Sequence, residues 1–264
     1  MNHIPPLTLF NAVLLFSTAF FASGLNAIAG GGSFITFPVL IFTGVPPITA
    51  NATNNTAIWF GVLGSVRAYR QDFGIPRNQL VLLCGISLIG SVIGSVALLF
   101  TSAAIFDQLI PYLLLLATLI FLFGEPLRSW LQRHRLQRYR LQQPRPASRS
   151  TLALVQLAIA IYGGFFGAGL GILMLAAFTL LGFKNIHTMN AFKTFLGSCI
   201  NGIAIVPFVF AGIIAWQQAI LMAVGSLLGG YFSAYYARRL DPRWVRRFVS
   251  AVAVSMTIYF FVRS

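Results

Sequence analysis

Acidic residues are almost missing from this chain. Asp72, Asp107, Glu125 and Asp241 are the only four in 264 residues, and all fall in loops or at the ends of apolar segments. No paired carboxylates, HExxH or Ser/His/Asp grouping occurs inside those segments, which argues against an intramembrane enzyme. Charge of either sign is scarce: 8% of residues are charged, against roughly 25% in a soluble protein. So little polar surface could not cover a soluble globule of this size. Cysteine is limited to Cys84 and Cys199, both in apolar stretches. That excludes a disulfide framework or a CxxC metal site, and both thiols read as small packing residues. The N-terminus lacks the basic region of a secretory signal, with only His3 before its apolar stretch, and it reads as a retained first helix.

What is present is apolar. Fifty-eight per cent of the residues are hydrophobic, 25 of the residues are phenylalanine, and 24 glycines accompany them. Lipid is the solvent for such a composition, and the sequence predicts an all-α, multi-pass protein of the cell (inner) membrane. Basic residues number 18, for a net charge of +14, and nearly every Arg lies between or just beyond hydrophobic runs. That placement points away from nucleic acid and toward cytoplasmic loops that obey the positive-inside rule and touch anionic lipid headgroups. A helix needs about 20 apolar residues to cross the hydrocarbon core. Long candidates cover 7–25, 49–67, 79–100, 104–124, 151–166, 188–211, 216–236 and 245–262. Two shorter runs, 33–43 and 171–182, each follow a glycine-rich break.

The pattern divides into a first transmembrane repeat over 1–124, a basic cytoplasmic linker over 125–150 with seven arginines, and a second transmembrane repeat over 151–264. Sliding the second half onto the first at an offset of 138 or 139 residues aligns Gly31 with Gly169 and Gly44 with Gly182. The same comparison sets Thr49-Ala50-Asn51-Ala52 on Thr188-Met189-Asn190-Ala191. Loop charges suggest how the halves are oriented. Arg67, Arg70 and Arg77 flank a first-half loop whose counterpart, near 212–216, is uncharged; 100–104 is uncharged, whereas 238–247 holds five arginines. If basic loops are cytoplasmic, the sequence predicts two inverted repeats of about five membrane segments each, with both termini outside.

Inverted repeats with helices broken at matching places are a signature of secondary transporters, whose substrates sit where the breaks meet. A glycine run exposes backbone N–H groups at the start of the next helix, and with the helix dipole these attract an anion. The candidate substrate-binding residues at the breaks are Gly30, Gly31, Gly32 and Ser33 in the first half and Gly167, Gly169 and Gly171 in the second. The helix after each short run adds polar groups that should face protein or a wet cavity rather than lipid. These are Asn51, Thr53 and Asn54 in the first half, and Asn190, Lys193 and Asn201 in the second, with Thr188 and Thr194 beside them. Gly90-x-x-x-Gly94 and Gly225-x-x-x-Gly229 read instead as seams for close helix packing. No catalytic residue, metal ligand or cofactor is expected; the expected partners are a small anionic substrate and the bilayer. A homo-oligomer is compatible with the sequence.

Gly30-Gly31-Gly32-Ser33, Pro38, Gly44-Val45-Pro46-Pro47, Ala50 and Thr53 resemble the first-repeat motif of the TauE/SafE family of sulfite and organosulfur-anion exporters and related permeases. Gly167-x-Gly169-x-Gly171, Gly182, Asn190-Ala191-x-Lys193, Asn201, Gly212 and Trp216 resemble the second-repeat counterpart, with Ala176 where the family pattern has proline. The resemblance covers nearly the whole chain. It implies transport of a small sulfur-containing anion such as sulfite or a sulfonate. The alternatives are an anion channel or a permease for a non-sulfur organic acid.

Overall fold

The computed structural model describes residues 4–28, 31–69, 77–139, 148–181, 183, 186–236 and 242–263. These residues form ten α-helices. The first half holds α1 (Leu9–Ile28), α2 (Ser33–Phe42), α3 (Pro47–Tyr69), α4 (Arg77–Leu99) and α5 (Ala103–Tyr139). The second half holds α6 (Arg149–Phe165), α7 (Leu170–Leu180), α8 (Ile186–Phe210), α9 (Trp216–Tyr236) and α10 (Pro242–Arg263). All ten runs seen in the sequence are helical, including both short ones. At about 1.5 Å per residue, α2 and α7 are roughly half as long as the hydrocarbon core is thick.

One boundary differs from expectation. Helix α5 has 37 residues and runs past its apolar stretch to Tyr139. That is about 55 Å, far more than the roughly 30 Å hydrocarbon core, so one end of it must leave the membrane. Helix α6, of 17 residues, keeps within two residues of its expected bounds. Among the described residues, four helical stretches are long and apolar enough to cross a bilayer by length and composition: Leu9–Asn26, Asn78–Leu99, Ala103–Gly124 and Thr188–Phe210. Helix α3 reaches 23 residues, but its Asn and Thr cluster dilutes its apolar character.

The molecule is inside-out relative to a soluble protein. Phe10, Phe21, Ile89, Phe123, Ile220 and Ile258 are exposed, while Asn51, Thr53, Asn54, Asn55 and Thr56 are buried. Exposed apolar side chains on several helices are what a lipid solvent requires. The polar start of α3 is turned into the protein.

Helix pairing repeats between the halves. Helix α1 packs on α9 as α6 packs on α4; α3 packs on α9 as α8 packs on α4; and α5 packs on α7 as α10 packs on α2. Aligned residues also meet each other. Trp59 Nε1 donates to the Ser198 carbonyl at 3.0 Å, and the Thr118 and Thr257 hydroxyls lie 3.0 Å apart, each pair being separated by 139 residues in the chain. Both pairs lie at the offset that aligns the halves in the sequence, one between α3 and α8 and one between α5 and α10. Glycines form the seams on either side. A methyl on Gly90 would come within 2.7 Å of the Ala160 side chain, and one on Gly94 would overlap the Ile161 carbonyl. Gly225 and Gly229 press in the same way on the Phe16 and Phe20 carbonyls of α1.

Candidate functional site

The two breaks have the same backbone solution. Gly31 has φ +85° and its aligned partner Gly169 has φ +73°, values in the left-handed region that favours glycine. Side-chain room is also short at Gly31, where a Cβ would stand 3.0 Å from Phe121 and from Val249. Each break then starts a short helix, where N–H groups of the first turn have no intrahelical partner; the Gly31, Gly32, Gly167 and Gly169 carbonyls of the breaks take up most of them. Among the described residues, the N–H groups of Ser33 in α2 and Gly171 in α7 donate to no backbone carbonyl.

Both breaks open on one cavity of about 60 Å³. This is several times the roughly 10–15 Å³ that one water needs and well below the roughly 300–1,000 Å³ of drug-sized pockets. Of the residues singled out in the sequence, Gly31, Ser33, Gly167, Gly169, Gly171, Lys193 and Asn201 line it, along with Thr194. Lys193, Thr194, Gly197 and Asn201 share a face of α8, facing Ile58 and Val62 of α3. The Lys193 stem lies over the first turn of α7, where a Cβ on Gly171 would come within 3.1 Å of Lys193 Cδ. No hydrogen bond or ion pair engages the Lys193 ammonium among the described residues, and no carboxylate lines the cavity. The site therefore combines one cation, two unpartnered N–H donors and the Asn201 amide.

The remaining candidates lie elsewhere. Gly30 falls outside the described residues. Gly32 packs against α1, where a Cβ would stand 2.5 Å from the Ala22 carbonyl. The Asn51 amide donates to the Phe165 carbonyl at 2.9 Å, holding the last residue of α6 just before the second break. Thr53 accepts from the Ala215 N–H at 3.0 Å, and the Asn54 carbonyl accepts from the Thr36 hydroxyl of α2 at 2.5 Å. The Asn190 carbonyl accepts from the Thr194 hydroxyl at 2.8 Å. Asn51, Thr53 and Asn54 thus brace the breaks and the loop before α9 from the first half.

Asn26, Ile58, Val62, Leu170, Met174 and Gly197 complete the lining without having been singled out in the sequence. Three of these six, Ile58, Val62 and Gly197, could have been found by extending the repeat. The register that sets Thr49 on Thr188 also sets Ile58 on Gly197 and Val62 on Asn201, and all four line the cavity. Asn26 is an amide in the last turns of an otherwise apolar helix, which is a weak signal. Leu170 and Met174 sit in an apolar run and carried none.

Ten helices with exposed apolar faces, and a small cavity where two glycine breaks meet, fit a multi-pass membrane transporter. Residues 15–260 match the family described as sulfite exporter TauE/SafE, and the chain belongs to that family. It is 31% identical over 245 residues to a probable membrane transporter protein of Haemophilus influenzae, covering 92% of each chain. It is 28% identical over 244 residues to the probable membrane transporter protein ORF9 of a Sinorhizobium species, covering 92% of this chain and 90% of the relative. Probable membrane transporter protein YfcA of Escherichia coli K12 is 26% identical over 246 residues, with 92% and 87% covered. No solved structure matches the chain.

Proposed function

We propose that this protein is a secondary transporter of small anions, sulfur-containing ones such as sulfite or a sulfonate, in the inner membrane, with its substrate bound between the breaks of two inverted repeats. The observation that carries this reading is the Lys193 ammonium beside the first turn of α7, without a carboxylate in the cavity lining. A cation in a partly apolar cavity calls for an anion to balance it. Two helix N-termini add favourable dipole ends and free donors at the same place. The cavity's small volume suits a substrate of a few heavy atoms. The choice of sulfur rests on family membership.

The test is binding to purified protein, followed by flux in proteoliposomes, across sulfite, thiosulfate, methanesulfonate and acetate. Loss of a charge-assisted hydrogen bond of about 1.5–3 kcal/mol corresponds to roughly 10- to 150-fold in affinity, which is the effect expected of Lys193→Ala. Lys193→Arg should restore only part of it, because a planar guanidinium does not reproduce the ammonium's geometry. Wild-type affinity in Lys193→Ala would remove the side chain from the site. Saturable flux with trans-stimulation is the behaviour expected of a carrier; ohmic single-channel currents would count against it.

A further inference from the structure

The cavity wall is uneven in a way that its donors do not explain. Ile58 and Gly197 occupy aligned positions on α3 and α8 and both line the cavity, yet one is a branched side chain and the other none. A glycine in the middle of a helix destabilises it by roughly 0.5–1 kcal/mol relative to alanine. Most helical glycines here repay that through close packing, as Gly94 does against α6 and Gly229 against α1. Gly197 is different. It is buried, but a Cβ built on it meets nothing within 4 Å, so the empty space lies inside the cavity. No helix presses on it.

The chemistry around that space is mixed. Lys193 and Asn201 lie on the same face of α8, one turn to either side of Gly197, while Ile58, Val62 and Met174 offer apolar surface without a hydrogen-bond donor. An oxyanion with oxygens on every side would turn some of them toward these apolar groups, where they would go unsatisfied. One bearing a hydrocarbon group on one side would meet donors with its oxygens and apolar surface with the rest. We propose that Gly197 sets the size limit of the substrate, and that the substrate is an oxyanion carrying a short apolar substituent that lies in the space beside Gly197. This rests on the cavity being the anion site and adds which part of the wall reads the substrate's length.

The experiment compares full-length wild type with Gly197→Ala and Gly85→Ala. Gly85 also has nothing within 4 Å of an added Cβ, but it is exposed on α4 and outside the cavity lining. Both substitutions place alanine within a helix without a clash, so both variants should fold. Affinities are measured calorimetrically for sulfite, methanesulfonate, ethanesulfonate and propanesulfonate. One methylene in an apolar pocket discriminates by about 10- to 200-fold. Gly197→Ala should therefore lower the propanesulfonate-to-sulfite affinity ratio by that order, and Gly85→Ala should leave the ratio at the wild-type value. Wild-type binding of the series with an unchanged ratio in Gly197→Ala overturns the role of Gly197 and leaves the anion site standing. Failure of wild type to bind any of the four removes both together.

Discussion

At the scale of single residues, side chains of similar chemistry divide into those that meet the cavity and those that hold its walls. Asn201 and Asn51 are both amides on helices next to a break, but only Asn201 lines the cavity. Asn51 is 2% exposed and spends its amide on the Phe165 carbonyl. Removing one partner of a buried hydrogen bond costs about 1–3 kcal/mol. Asn51→Ala should therefore lower the thermal stability of purified protein by that order, while the ranking of anions by affinity stays as in wild type. A changed ranking with unchanged stability would make Asn51 a substrate contact instead. Lys193 shows what sequence could not decide. It lies about five residues into its helix, close enough to an end to snorkel and deep enough to reach a site. The fold adds Gly171, whose missing side chain gives the lysine stem its place against α7, and the Lys193→Ala affinity decides between the two roles.

At the scale of elements, the seams and the breaks use glycine for different reasons. Gly94 and Gly229 have ordinary helical backbones and are pressed against neighbouring carbonyls, whereas Gly31, Gly167 and Gly169 have positive φ. Overpacking by one methyl costs typically about 1–3 kcal/mol, and a carbonyl on a neighbouring helix cannot rotate away. Gly94→Ala and Gly229→Ala should both reduce the yield of folded, monodisperse protein, and Gly85→Ala should not; equal yields from all three would show that the seams relax at no cost. Much of this was legible in the sequence. All ten helices were visible as apolar runs, the breaks as glycine clusters and the seams as small residues four apart. The extension of α5 to Tyr139 was hidden, because hydropathy ends where the arginines begin although the backbone does not. Part of the cavity wall was hidden too, since Leu170 and Met174 look like any apolar residue until the fold aims them inward.

At the scale of the whole molecule, neighbouring helix directions bear on how the two halves lie in the membrane. Gly225 faces Phe16 and Gly229 faces Phe20, so α1 and α9 run parallel. Gly90 faces Leu157 and Gly94 faces Ile161, so α4 and α6 run parallel. Thr118 meets Thr257 and Tyr112 meets Phe261, so α5 and α10 run antiparallel. The sequence comparison aligns α5 with α10, and antiparallel packing of such a pair is what halves of opposite orientation would produce. The arginine distribution asks for the same arrangement, with 128–149 and 238–247 in the cytoplasm and 100–104 and 212–216 outside. Impermeant maleimide labelling of whole cells tests it, in a background where Cys84 and Cys199, whose sulfurs lie 3.5 Å apart, are replaced by alanine. Ser102→Cys and Ala211→Cys should label in intact cells, and Ser148→Cys and Arg239→Cys only after permeabilisation. Labelling Arg239→Cys and Ala211→Cys equally from outside would place the two ends of α9 on one side. No reading of opposed halves, or of a site shared between them, would then survive.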